Sequence, residues 1–225
     1  MHFPTVPLTI QWLSPHSLIW RIKNTHTRKL SDKTGSDSNE RDHHTVPKLY
    51  LTFDDGPIPE VTPQVLEILK RYNAKATFFC VGDNVRKYPQ VYDLILKDGH
   101  STGNHTYSHL KGIKTDNQQY FKDIEKCREL VHSDLLRPPY GKIGYHQVKV
   151  LEKNYKIIMW SVLTGDYDHK LTKEEVLDNA INHCKDGSII VFHDSIKAYD
   201  RMIYALPALL EHCSLKGFRF DKISL

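Results

Sequence analysis

From residue 48 onward, apolar runs without a period of two alternate with helical stripes, and this pattern restricts the fold more than any other feature. Residues 76–81 (ATFFCV) and 188–192 (SIIVF) are continuous apolar runs. Strands that bury both faces look like this, and they belong to mostly parallel sheets covered by helices. Residues 48–53 (KLYLTF) and 156–162 (KIIMWSV) are further strands, and 218–223 is a candidate final strand. Thr62-Pro63 resembles an N-cap followed by Pro at the first helical position, and Val65, Ile68 and Leu69 form a helical stripe. Pro89 opens a second helix, with Val91, Leu94 and Ile95 inside and Gly99 as its stop. A longer helix spans about 116–132, with Phe121, Ile124, Cys127, Leu130 and Val131 on one face. Thr172 and Glu175 have capping-box spacing ahead of Val176, Ala180 and Ile181, and another helix covers about 203–213. Short β-α-β connections of this kind give an α/β fold, either an open doubly wound sheet or a barrel. Both bind ligands at the carboxyl ends of the strands, so the residues just after each strand are the ones to inspect.

The chain has 225 residues, 40% hydrophobic and 26% charged, which excludes a disordered tail and a membrane-embedded bundle. A net charge of +4 is too mild to point to nucleic acid. No run reaches the ~18 apolar residues of a transmembrane helix. The N-terminus has no early Lys or Arg, and Pro4, Pro7 and Pro15 interrupt its apolar positions. It does not match a secretory signal, so a cytoplasmic chain is expected, or a periplasmic or cell-surface one if the true start differs. Residues 1–46 are expected to be an N-terminal arm and a flexible polar connector, and 47–225 the catalytic domain. Trp12, Leu13, Leu18, Ile19 and Trp20 make the arm amphipathic, able to pack on its own domain or to touch a membrane surface. The connector, 24–44, holds His26, His43 and His44 as solvated residues. Cys80, Cys127, Cys184 and Cys213 form no C-x-x-C pair and are expected to be buried apolar side chains. Histidine is abundant at 14, and it is the commonest metal ligand.

Five strings fall at or near strand ends. Asp54 and Asp55 precede a Gly56-Pro57 turn; the pair is either an exposed cap or a site held by a cation, since desolvating two carboxylates is costly. His105 and His109, four apart, lie on one face of a helix or turn. Alone they are as compatible with surface coincidence; with Asp55 they give an incomplete shell suited to catalytic zinc. Arg137 precedes Pro138-Pro139-Tyr140-Gly141, a rigid turn, and can hold a carboxylate by a bidentate contact. In the string 160–168 (WSVLTGDYD), Trp160 is core or groove wall, and Asp166 and Asp168 are loop charges or partners of a cation or histidine. Val191-Phe192-His193-Asp194 ends a buried strand, where His193 is a core histidine or an acid. Together they predict metal-assisted hydrolysis of an amide or ester. In it Asp55, His105 and His109 bind the metal, Asp54 is the base toward water, and His193 protonates the leaving group.

The strings TFDDGP, HTYSH, RPPYG, WSVLTGDYD and VFHD resemble, in order and spacing, the motif set of the polysaccharide deacetylases. This is the NodB-homology domain, or carbohydrate esterase family four. The resemblance runs from about Lys48 to the C-terminus. It implies a distorted (β/α) barrel with fewer than eight parallel strands and the site at their C-terminal ends. It also implies one divalent metal ion, commonly zinc, with cobalt, nickel or manganese in some members. The implied substrate is an N-acetylated glycan of chitin or peptidoglycan type; O-acetyl xylan and a non-catalytic carbohydrate-binding role are the alternatives. A monomer with no nucleic-acid partner is expected. By resemblance Asp54 is the base, Asp55, His105 and His109 the metal ligands, and Arg137 the residue that orients the base. The Tyr140 backbone N–H stabilises the oxyanion, His193 is the acid, and Val191 stands where Leu usually lines the acetyl-methyl pocket. Many members carry an Asp three residues after the Trp to pair with the acid histidine. Leu163 stands there in this chain, and Asp166 is expected to take that part, with Asp168 next in line.

Overall fold

The computed structural model describes residues 4–5, 15–23 and 46–225. Trp12, Leu13 and the connector with His26, His43 and His44 lie outside them. The elements are β1 (Leu18–Ile19), β2 (Lys48–Asp54), α1 (Thr62–Arg71), β3 (Ala76–Cys80), α2 (Gly82–Lys87), α3 (Pro89–Lys97) and β4 (Ser101–Asn104). Then follow α4 (Asn117–Arg128), β5 (Leu135–Leu136), α5 (Tyr145–Leu151), β6 (Lys156–Ile158), β7 (Val162–Leu163), α6 (Lys173–Ile181), β8 (Ile189–His193), α7 (Tyr199–Leu215) and β9 (Arg219–Phe220). The strand order is β1-β6-β5-β4-β3-β2-β8-β7, with β9 beside β2, and every pair is parallel. Seven strands of that path come from residue 48 onward, and β1 comes from the arm. The sheet curls into the distorted (β/α) barrel expected, but with eight parallel strands on its path and β9 beside it rather than fewer than eight, because the arm adds β1; among the described residues its end strands β1 and β7 do not pair with each other.

The apolar runs lack a period of two because both sides of the sheet are filled. Phe53, Phe78 and Phe192, on three adjacent strands, stack on the helix-facing side with ring centroids 4.9 and 6.0 Å apart. They pack with Val65 and Leu69 of α1 and Leu206 and Leu210 of α7. The opposite side carries Tyr50, Phe79, Ile158 and Ile189 inside the barrel. The register sets Asp54 of β2 directly beside His193 of β8, so two charged candidates meet at the carboxyl ends of neighbouring strands.

Several elements differ from the sequence expectation. The strand 156–162 is two strands, because the chain changes partners at Met159–Ser161: Met159 N–H donates to Ile19 O of β1 (2.7 Å) and Ser161 N–H to Ile189 O of β8 (3.0 Å). Strand β4 (STGN) has no apolar run and is fixed by its neighbours β3 and β5. Helix α1 is preceded by Val61 at its N-cap; the Thr62 hydroxyl is used elsewhere, accepting from Ile58 N–H and donating to Asp194. The α6 capping box forms as read, Thr172 Oγ1 accepting from Glu175 N–H. Three cysteines are buried, whereas Cys184 is only partly so, with its sulfur 3.7 Å from that of Cys213.

Candidate active site

Arg137 leaves the end of β5 and runs through the barrel interior, 0% exposed. A buried guanidinium has to be paired through its planar fork. Its Nη1 donates to Asp54 Oδ1 and to Thr52 Oγ1, each at 2.7 Å. Nη2 donates to Met159 O (2.9 Å) and Nε to Ile158 O (3.2 Å). Those two carbonyls lie where β6 ends and the 159–161 break begins. The guanidinium also lies 4.2 Å over the Phe79 ring. Asp54 is therefore fixed by a cation that the rest of the barrel holds in place.

Asp55, His105 and His109 offer three ligand atoms that all lie within 4.8 Å of one another. The nearest pairs are His109 Nε2 to Asp55 Oδ1 at 3.1 Å and His105 Nε2 to the same oxygen at 3.7 Å. The two histidines sit on a loop rather than a helix. Thr106 N–H donates to Asn104 Oδ1, Leu110 N–H donates to Thr106 Oγ1, and Tyr107 and Ser108 N–H both donate to Asp123 of α4. Asp55, Thr106, His109 and nearby Tyr140 all have left-handed backbones (φ 83°, 61°, 57° and 60°). Side-chain-bearing residues avoid that region, at about 1–3 kcal/mol each, and such strain gathers at functional sites. His105 Nδ1–H donates to Arg137 O (2.8 Å), which leaves Nε2 with its lone pair toward Asp55. Burial lowers the His105 pKa to about 4, so the ring is neutral, as a ligand must be. Burial pushes Asp55 upward, but the hydrogen bond to His109, followed by the charge of His193, outweighs it and holds the carboxyl well below its usual range. The donor set fits a divalent cation with an open position.

Across the cavity, Asp166 is 0% exposed and accepts two bonds from His193, at 2.7 Å from the backbone N–H and 2.8 Å from Nδ1. Burial lowers the His193 pKa, but Asp166 and the more distant Asp55 and Asp54 charges raise it to about 9. Arg201 Nε donates to the Asp166 carbonyl and fixes its loop. Asp168 is engaged otherwise, its Oδ1 accepting from Lys170 N–H.

One cavity of about 410 Å³ joins these groups. Asp54, Asp55, His105, His109, Tyr140, Trp160, Val191 and His193 line it, whereas Arg137 and Asp166 stand behind it as supports. Tyr140 is 58% exposed on a Pro139–Gly141 3-10 turn, its ring 4.7 Å from that of His109. The sequence reading missed Tyr167, Ser195 and Lys197 on the rim, and it did not foresee that Leu163 forms wall beside Val191. It also missed Asp194, although that residue directly follows His193 in the string already singled out. Asp194 is buried and accepts from Gly56 N–H (3.0 Å) and Thr62 Oγ1 (2.6 Å), bracing the turn after Asp55; burial raises its pKa to about 8.

The family model described as polysaccharide deacetylase matches residues 41–156. A peptidoglycan-N-acetylglucosamine deacetylase of Bacillus cereus is 36% identical over 178 residues, covering 76% of this chain. The chain spans 64% of that relative's length. A chitooligosaccharide deacetylase of Azorhizobium caulinodans is 36% identical over 157 residues, covering 65% of this chain and 73% of the relative. A crystal structure of a peptidoglycan N-acetylglucosamine deacetylase superposes with a TM-score of 0.75 at 35% identity, covering 78% of this chain and 86% of that one.

Proposed function

The chain belongs to the polysaccharide deacetylase family, and on that premise we propose that it is a metal-dependent hydrolase removing N-acetyl groups from amino-sugar glycans of peptidoglycan or chitin type. Residues 47–225 carry the site in this reading, since every residue lining the cavity falls within them. The observation that carries the proposal is the meeting of three groups in one cavity: the Asp55-His105-His109 cluster, an Arg137-held carboxylate and an Asp166-held imidazole.

Asp55, His105 and His109 hold the cation, and two imidazoles with one carboxylate favour zinc, with cobalt, nickel or manganese as substitutes. A bound divalent ion supplies Lewis acidity toward water and toward the amide carbonyl. Asp54 takes the proton from the attacking water, and Arg137 keeps it aimed. The Tyr140 backbone N–H faces the developing oxyanion, Val191 and Leu163 receive the acetyl methyl, and Trp160 walls the sugar. His193 starts protonated through Asp166 and gives its proton to the departing amine. The second proton of water leaves with acetic acid and is lost to solvent, and return of the Asp54 proton to His193 through solvent restores both groups, so acetate and a free amino sugar are the products.

Acetate release from chitin oligosaccharides is the test, with and without a chelator and with zinc added back. Release that stops on chelation and returns with zinc is expected. No release from the zinc-loaded protein would sink the proposal, and release from acetylated xylan alone would move it to an O-acetyl esterase.

A further inference from the structure

Residues 15–23 lie outside the part matched by the family model, yet they are bonded into the barrel. Leu18 and Ile19 pair in parallel with Ile157 and Ile158 of β6, and Ile19 O accepts from Met159 N–H. On the other lip, Ile22 N–H donates to Gly187 O (3.0 Å), and Arg21 bridges Ser188 at the entrance to β8. Nearer the chain start, Leu163 N–H donates to Pro4 O (2.8 Å), and Thr5 bridges Val162. Ile19 and Ile22 pack into the interior cluster with Phe79, Ile158 and Ile189. Gly187 is cut to fit the arm: its φ is 79°, and a Cβ there would fall 1.9 Å from Ile22 O. Trp20 meets Trp160 edge-on at 6.5 Å. Trp160 in turn walls the cavity, lies 6.0 Å from the Arg137 guanidinium and fills the space where Gly141 lacks a side chain.

We infer that the arm is the closing strand of the catalytic barrel, filling the seam between β6 and the β7–β8 pair. Trp20 is then a positioning residue that acts through Trp160 on the Arg137–Asp54 pair and on the turn carrying Tyr140. The catalytic unit therefore begins before residue 47. The part assigned to Trp20 rests on the activity proposed above; the closing-strand part does not.

The full chain carrying Trp20→Ala tests it by steady-state acetate release. A kcat about tenfold lower is expected, with KM within about twofold, because a small misplacement of reacting groups weakens chemistry more than binding. Zinc content should be unchanged, since Trp20 touches none of the three ligands, and Trp20→Phe should restore most of kcat. An unchanged kcat, or a fall matched by lost zinc and not restored by Phe, would overturn the positioning role. Amide hydrogen exchange tests the closing strand without any activity. Met159 and Ile22 amides should be protected, and Gly187→Val, which pushes on Ile22, should expose both. Rapid exchange of these amides in the unsubstituted protein would overturn it.

Discussion

The site contains two working groups, each held by a buried partner of opposite charge, and the two pairs are built differently. Arg137 reaches Asp54 across the barrel and is held by Thr52, Ile158 and Met159, so it ties β2, β5 and the break after β6 into one unit. Asp166 meets His193 with both oxygens on a single residue, from a loop fixed by Arg201. The proposed base is thus positioned by the whole barrel and the proposed acid by one loop. Damage to the first pair should spread into stability, whereas damage to the second should stay in the chemistry.

The largest expected effect is Asp54→Asn, which removes the base and should lower kcat by about 10²–10⁴-fold. Metal analysis should still find the ion, whereas His105→Ala should lose it; loss of the ion in both would make Asp54 a ligand and dissolve the first pair as described. Arg137→Met comes next. It leaves Asp54 buried without its cation, at about 3–5 kcal/mol of stability together with most activity. Denaturant unfolding checks this, and an undiminished midpoint would mean that the barrel does not depend on the pair. Asp166→Asn should keep the fold but take away the charge that raises His193. The acid is protonated below its pKa of about 9, so activity should fall above that pH in the unsubstituted protein. In the variant the basic limb should move to lower pH, and an unmoved limb would mean that His193 is not the acid. The smallest movement of the pH profile is expected from Leu163→Asp, although a carboxylate in the wall that receives the acetyl methyl should lower kcat/KM. Both Asp166 oxygens already serve His193, so the basic limb should stay in place.

The fold was legible where burial alone decides it. The continuous runs of β3 and β8 and the Thr172–Glu175 box need no distant partner to be recognised. Strand β4 was not legible, because STGN has no pattern of its own and is a strand only between β3 and β5. Thr62 looked like a cap because hydroxyls favour caps, but its partner Asp194 lies 132 residues away and outcompetes the helix terminus. The same division holds in the site. The strings located every lining carboxylate and histidine, since these sit at strand ends by register. The Arg137 contact with Asp54 was implied by the resemblance, but the rest of its grip was invisible, because two of its acceptors are main-chain carbonyls freed by a break in a strand that looked continuous.

The left-handed backbones of Asp55, Thr106 and His109 bear on how an ion would be received. A chain that folds around its metal starts with scattered ligands and orders them on binding. Here the histidine loop is held by hydrogen bonds to Asn104, Thr106 and Asp123, none of them a ligand, so the ordering is supplied by the fold rather than by the ion. Ion uptake should then resemble a key entering a cut lock. The circular dichroism spectrum and hydrodynamic radius should be the same before and after, and the response should be confined to the immediate surroundings of three side chains.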